Sequence, residues 1–328
     1  ELDNAVKAFN PDMALAVVMD PNTGEILAMS SRPTYDPNNY QNYTMEVLSR
    51  NLPIWASYEP GSTFKITTFA AALEENLIDM DNDHFYDSGS VHIGGARIGC
   101  WKAGGHGDQT YLQVLQNSCN PGFVKLGQML GKEKLFSYLD LFGFGSKTGI
   151  DLSGESKGII FPMEKVGELE LVTTAFGQGV SVTPIQQVTA VSSIVNGGNL
   201  YKPYVVKGIL EPETNTMIQE NKPTLVRNTI SEATSLKMRR ALESVVALGG
   251  GKAAYIDGYR VGGKTGTAQK VENGRYLVGN YIMSFMSIVP SNNPQAVLYI
   301  ALDNPKNTAL LSSYTTTPIA RRVLLDII

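Results

Sequence analysis

A 328-residue chain that is 43% hydrophobic and 18% charged can bury a sizeable core without help from metals or disulfides. Its net charge of −4, with no Lys/Arg run longer than two, argues against nucleic acid as a partner and gives no pull toward anionic lipid. Two cysteines, Cys100 and Cys119, are too few for a disulfide framework, and no run of 18 apolar residues supplies a membrane span.

The opening ELDNAVKAFNP lacks an initiator Met and reads as a piece of something longer. MALAVVMDPNTGEILAMSS (13–31) then predicts a hairpin: two apolar runs flank the turn-rich Asp20–Gly24. RPTYDPNNYQNY reads as loop. YEPGSTFKITTFAAALEENL (58–77) predicts a buried helix, with Ile66, Phe69, Ala70 and Leu73 at helical spacing. Residues 79–108 are short, Gly-rich and polar. Helices are expected over 110–119, over 120–145, over 183–198 with Thr183 as cap and Pro184 after it, and over 231–248. Residues 211–224 read as an exposed turn or linker. Strands at 258–271, 281–290 and 296–302 predict an antiparallel meander, and TPIARRVLLDII closes the chain as a helix. Together these elements predict an α+β fold: one antiparallel sheet built from both chain ends, with helices packed on it.

Three short motifs carry chemistry. Ser62 and Lys65, at i and i+3, share one helix face, so a lysine whose pKa burial lowers can take the serine proton as a neutral amine. Ser118-Cys119-Asn120 joins two helical stretches and offers a second hydroxyl and an amide. Lys264-Thr265-Gly266-Thr267 lies in a predicted strand. An edge strand there can pair with an extended peptide, Gly266 allows close backbone approach, and Lys264, Thr265 and Thr267 supply a cation and hydroxyls for a carboxylate. A second Lys-Thr-Gly, in SKTGID at 146–151, follows a Gly-ended helix and leads into a turn, so Lys147 is expected to be a surface residue. Taken singly, each motif has a bland reading as a cap, a turn or a solvated lysine.

The order Ser-x-x-Lys, Ser-x-Asn, Lys-Thr-Gly is that of penicillin-binding proteins and class A β-lactamases. YEPGSTFK, NSCNPGF, FGFGSKTGIDLSGE, AFGQGVSVTPIQQVTAVSSIVNGG and GGKTGTAQ resemble the transpeptidase domain of class B penicillin-binding proteins, with wording nearer the division and sporulation branch. The resemblance implies the serine β-lactamase/penicillin-binding transpeptidase fold as a single domain over 1–328. Its sheet region comes from 1–58 and 230–328, and a mostly helical lobe from 59–229. It implies Ser62 as acylated nucleophile, Lys65 as general base, Ser118 with Lys264 as proton relay and Asn120 as amide holder. Thr265 and Thr267 would bind the terminal carboxylate, the Ser62 and Thr267 N–H groups would form the oxyanion hole, and Gln178 would line the cleft floor in a mainly structural role. The chemistry needs no cofactor. Implied partners are donor and acceptor peptidoglycan stem peptides, β-lactams, and a membrane glycosyltransferase or divisome-type proteins. The implied location is the extracytoplasmic face of the bacterial cytoplasmic membrane, with an anchor and pedestal domain upstream of Glu1.

Rival readings are a β-lactamase, a carboxypeptidase, and a non-catalytic penicillin-recognising sensor. Glu168-Leu169-Glu170-Leu171-Val172 only partly matches the Glu-x-x-Leu-Asn stretch of class A β-lactamases, since Val172 stands where Asn is expected.

All three histidines and one cysteine fall in 81–108. A two-residue turn at Gly94-Gly95 would pair His92 with Arg97 and Cys100 with Gly89, placing His92 and Cys100 on opposite faces. His84, Cys100 and His106, with Asp83 or Asp87 as a fourth ligand, are therefore the candidate structural zinc set. Solvated histidines and a buried thiol are the alternative. Cys119 is expected as a small buried filler facing away from the cleft, with a bond to Cys100 as the alternative.

Overall fold

The computed structural model describes residues 1–272, 274–306 and 311–328. A five-stranded antiparallel sheet is its frame. β1 (Met13–Met19), β2 (Ile26–Arg32), β3 (Gly262–Glu272), β4 (Arg275–Val289) and β5 (Ala296–Asp303) stand in the order β3-β4-β5-β1-β2. The first strand lies directly against the last, from Met13 opposite Asp303 to Met19 opposite Val297. Both chain ends thus build one sheet, as the sequence predicts.

Every residue of β5 is buried, because helices cover both faces. Alternation along the strands divides the core in two. Val17, Met19, Val297 and Tyr299 face the larger cluster beneath helices α2 (Lys65–Glu74), α3 (Asn120–Leu141) and α4 (Pro184–Val195). Ala14, Val18, Leu298 and Ile300 face a smaller cluster closed by Leu2, Ala5, Ile319 and Leu324 from the terminal helices Leu2–Phe9 and Thr316–Ile327. No helix among the described residues is long and apolar enough to cross a membrane.

Several boundaries differ from the sequence reading. The helix expected from 58 begins at Lys65. Before it, Tyr58 makes an antiparallel bridge to Val182, and Gly61–Thr63 form a 3-10 turn. The long helix at 120 is interrupted at Gly131, whose φ is 73°. The stretch 211–224, read as an exposed turn or linker, supplies the turn and the second strand of an exposed hairpin, Gly208–Leu210 against Met217–Glu220. Thr183 and Ser231 cap their helices as expected, accepting from the N–H groups of Gln186 and Thr234.

Candidate active site

The first motif sits on a tight turn. Gly61 has φ +57°, and its N–H donates to Gly177 O at 2.9 Å. A Cβ there would lie 3.0 Å from Thr267 O, so only glycine lets the turn approach the edge strand this closely. Thr63 Oγ1, on the buried side, donates to Gln187 Oε1 at 2.8 Å. Ser62 is partly exposed beside it. Lys65 opens α2 and is fully buried.

Two lysines converge on the second motif. Lys65 Nζ bonds Ser118 O at 2.8 Å, Ser118 Oγ at 3.2 Å and Asn120 Oδ1 at 2.6 Å. Lys264 Nζ, also fully buried, reaches Ser118 Oγ at 2.9 Å and Thr265 O at 3.1 Å. Burial pushes the Lys65 ammonium down to about 7. Burial also depresses Lys264 strongly, reinforced by the like charge of Lys65. Ser118 adopts φ 53° between the helix Tyr111–Gln116 and α3, which turns its hydroxyl back onto both amines. The three hydrogen bonds of Lys65 go to Ser118 and Asn120 and none to Ser62. As a neutral amine Lys65 keeps two N–H donors for Ser118 O and Asn120 Oδ1, and its lone pair is then free for a hydroxyl proton.

The third motif lies on β3, the sheet edge, paired only with β4: Lys264 stands opposite Met286 and Thr267 opposite Met283. Lys264, Gly266 and Ala268 are buried, whereas Thr265 and Thr267 alternate onto the more open face. Gly266 has a packing role as well: a Cβ there would lie 2.3 Å from Ser284 Oγ and 2.9 Å from Thr63 Cγ2, so its bareness admits the Ser62 turn. Ser312, buried, donates to Gly266 O and lies 3.2 Å from Thr267 Oγ1. No motif in the sequence marks Ser312.

Gln178 donates its backbone N–H to Thr173 O at 3.0 Å, and the close contacts to the Ser62 turn come from its neighbours. Gly177 O accepts from Gly61, and Gly179 N–H donates to Glu59 Oε1 at 2.8 Å. The other Lys-Thr-Gly stands apart. The buried Glu155 carboxylate accepts from Thr148 N and Oγ1 and from Gly149 N at 2.6–3.1 Å, leaving Lys147 exposed. Glu170 caps its own helix through Gly167 N–H at 3.0 Å.

The expected metal set is rearranged. His84 pairs with Asp108 at 2.8 Å on the exposed side, and Asp83 accepts from Asp79 N–H at 2.8 Å. Instead Asp87, Cys100, His106 and Cys119 offer ligand atoms all within 4.8 Å of one another. Asp87 Oδ2 lies 2.9 Å from His106 Nδ1 and 3.3 Å from Cys119 Sγ, and Cys100 Sγ lies 3.2 Å from His106 Nδ1. The hairpin register agrees with the expectation, with His92 opposite Arg97 and Cys100 N–H bonded to Gly89 O. The difference lies in strand His84–Asp87, where three residues span about 10 Å and reverse faces. Cys119 does face away from the cleft, but toward this cluster. Both thiols are free; burial raises Cys100 and pushes Cys119 up to about 12. Asp87 is held low despite its burial, by hydrogen bonds from Cys100 and His106. His106 Nε2 is buried without a partner. Two thiols, an imidazole and a carboxylate are a donor set that fits zinc. The cluster braces the second motif directly, since Cys119 lies between Ser118 and Asn120, and Asn120 Nδ2 donates to Gly99 O at 3.4 Å.

Residues 14–325 match the family model of the penicillin binding protein transpeptidase domain. The chain is 57% identical to stage V sporulation protein D of Bacillus subtilis over 99% of its length and 50% of that protein's. It is 31% identical to peptidoglycan D,D-transpeptidase FtsI of Escherichia coli K12 over 97% of its length and 52% of that protein's. It thus spans about half of these relatives. Among solved structures it superimposes on apo penicillin binding protein 3 of Mycobacterium tuberculosis with a TM-score of 0.90 at 29% identity, covering 98% of this chain and 74% of that one. The ampicillin complex of that protein gives the same score, over 98% and 73%. The match runs from the first sheet strand to the last helix and encloses all three motifs, and the chain belongs to the penicillin-binding-protein transpeptidase domain family.

Proposed function

We propose that this chain is a serine D,D-transpeptidase that cross-links peptidoglycan stem peptides. The observation that carries the reading is the pair of buried lysines meeting on Ser118 beside the Ser62 turn. Ser62 Oγ attacks the carbonyl of a terminal D-Ala-D-Ala bond while neutral Lys65 takes its proton. The developing oxyanion lies between the N–H groups of Ser62 and Thr267. Ser118, held by Lys264, passes a proton to the leaving amine as the C–N bond breaks, and D-Ala departs. An acceptor amine then attacks the Ser62 ester and the protons return by the same route. Asn120 holds the donor amide, Thr265 and Thr267 hold its carboxylate, and Gln178 supports the cleft floor. β-Lactams acylate Ser62 as substrate mimics. The domain acts as one unit, its sheet region drawn from residues 1–58 and 230–328 and its helical lobe from residues 59–229.

With Val172 standing where the class A stretch has Asn, a β-lactamase-type water base is disfavoured. Mass spectrometry of products from a D-Ala-D-Ala donor peptide plus an acceptor amine tests the reading. Cross-linked product with release of D-Ala supports it. Hydrolysed donor alone makes the protein a carboxypeptidase, and no product on any peptide pair makes it a sensor. The working site is the extracytoplasmic face of the cytoplasmic membrane, in company with a membrane glycosyltransferase or other division- or sporulation-type partners.

The Asp87, Cys100, His106 and Cys119 quartet holds one structural zinc, which would fix the loop bearing Ser118 and Asn120 without taking part in the reaction. The unpartnered His106 Nε2 and the mutual proximity of four zinc-type donors support this.

A further inference from the structure

Beneath the Ser62 turn runs a buried polar chain that the reaction above leaves unused. Its hub is Tyr299, fully buried on β5. The Tyr299 phenol oxygen accepts from Tyr58 Oη at 3.1 Å and from Gln187 Nε2 at 3.1 Å. The hydroxyls of Thr63 and Ser284 lie close enough to the phenol to offset part of the effect of its burial. Gln187 Oε1 closes a loop by accepting from Thr63 Oγ1 at 2.8 Å. Thr63 and Gln187 are each at most 3% exposed, so their bonds cannot be exchanged for water.

Two attachments of this hub matter for the chemistry. Thr63 directly follows Ser62. Ser284 is the β4 partner of Gly266, which directly precedes Thr267. The two segments touch where a Cβ on Gly266 would meet both Ser284 Oγ and Thr63 Cγ2. The phenol therefore lies beneath both backbone segments, bonded through Gln187 to Thr63 and adjacent to the packed contact of Ser284 with Gly266. A fully satisfied buried network resists deformation, and loss of its hub leaves several buried groups unpaired.

We infer that Tyr299 is a positioning residue for the oxyanion hole, setting the separation of the Ser62 and Thr267 N–H groups through Gln187 and Thr63, which packs against Gly266. The inference rests on the acyl-serine reading. It predicts a kinetic effect, because donors placed for an oxyanion lose their advantage when displaced by a fraction of an ångström.

Tyr299→Phe keeps the ring and removes the hub; Thr63→Val keeps the shape and removes one attachment. For each variant, saturation kinetics with a penicillin separate the dissociation constant of the encounter complex from the acylation rate constant. Infrared spectroscopy of the acyl-enzyme reads the ester carbonyl stretch, which falls when the hole's N–H groups bond the carbonyl. In both variants the rate constant should drop about tenfold, with the dissociation constant held within about twofold. The ester band should move to higher wavenumber. A lowered melting point with rate constant and band unchanged would mean a purely structural network and overturn the inference. Should Tyr299→Phe fail to fold, Thr63→Val decides by the same criteria. Failure of the underlying reading looks different: wild-type protein would then carry no penicillin on Ser62.

Discussion

Lys65 and Lys264 share one acceptor, Ser118 Oγ, at 3.2 and 2.9 Å, although both amines are fully buried and 199 residues separate them in sequence. Two ammonium ions so placed, in a site that excludes water, disfavour each other's charge. In the proposed mechanism this arrangement would keep one amine ready to accept the Ser62 proton while the other holds the Ser118 hydroxyl.

The two Lys-Thr-Gly copies should separate cleanly by mutation. Lys264→Ala removes a direct partner of Ser118 and should slow acylation by a fluorescent penicillin about 100-fold or more. Lys147→Ala, at an exposed turn, should stay within about twofold of wild type. A large loss at Lys147 with the fold intact would reverse the assignment.

Acylation should depend on pH through Lys65. Its folded value is lowered to about 7, and in the proposed mechanism the neutral form is the base, so activity should grow as pH rises through that value. Below about pH 7 the second-order acylation constant should fall toward a limiting slope of about tenfold per unit. A profile flat from about pH 5 to 9 is incompatible with a lysine base of this kind.

The turn at 148–155 is a folding element rather than a site. Glu155→Ala strands the Thr148 and Gly149 N–H groups and the Thr148 hydroxyl, which should cost about 2 kcal/mol in urea denaturation. Acylation per folded molecule should be unchanged. An unaltered denaturation midpoint would show that the carboxylate is not what holds the turn.

Purified protein should carry zinc at about one ion per chain, and the Cys119→Ser and Asp87→Ala variants should lose most of it, whereas His84→Ala should not. Elemental analysis decides this. A stoichiometry near zero in protein never exposed to chelator would dispose of the zinc proposal.

The motifs are legible in the sequence because each depends on local spacing and context. Ser62 and Lys65 are three residues apart at a helix start, and Lys264 lies in a strand flanked by a visible partner at 281–290. Helix caps such as Thr183 are legible for the same reason. Long-range convergence is not. Nothing in the sequence says that Asp87 rather than Asp83 meets Cys100 and His106, because that depends on which end of a four-residue strand faces the hairpin. Ser312 and Tyr299 are equally hidden: no motif marks the one, and the other looks like an ordinary aromatic in an apolar strand. The packing role of Gly266 is hidden too, because nothing in the sequence reveals that the Ser62 turn packs against its buried face.

The nucleophile assignment is tested most directly by fluorescent-penicillin labelling of wild type and Ser62→Ala, with the adduct mapped by peptide mass spectrometry. Wild type should gain one penicillin on the peptide that contains Ser62, and the folded variant should gain none. Label that persists on Ser62→Ala, or an adduct that maps to another residue in wild type, would contradict it.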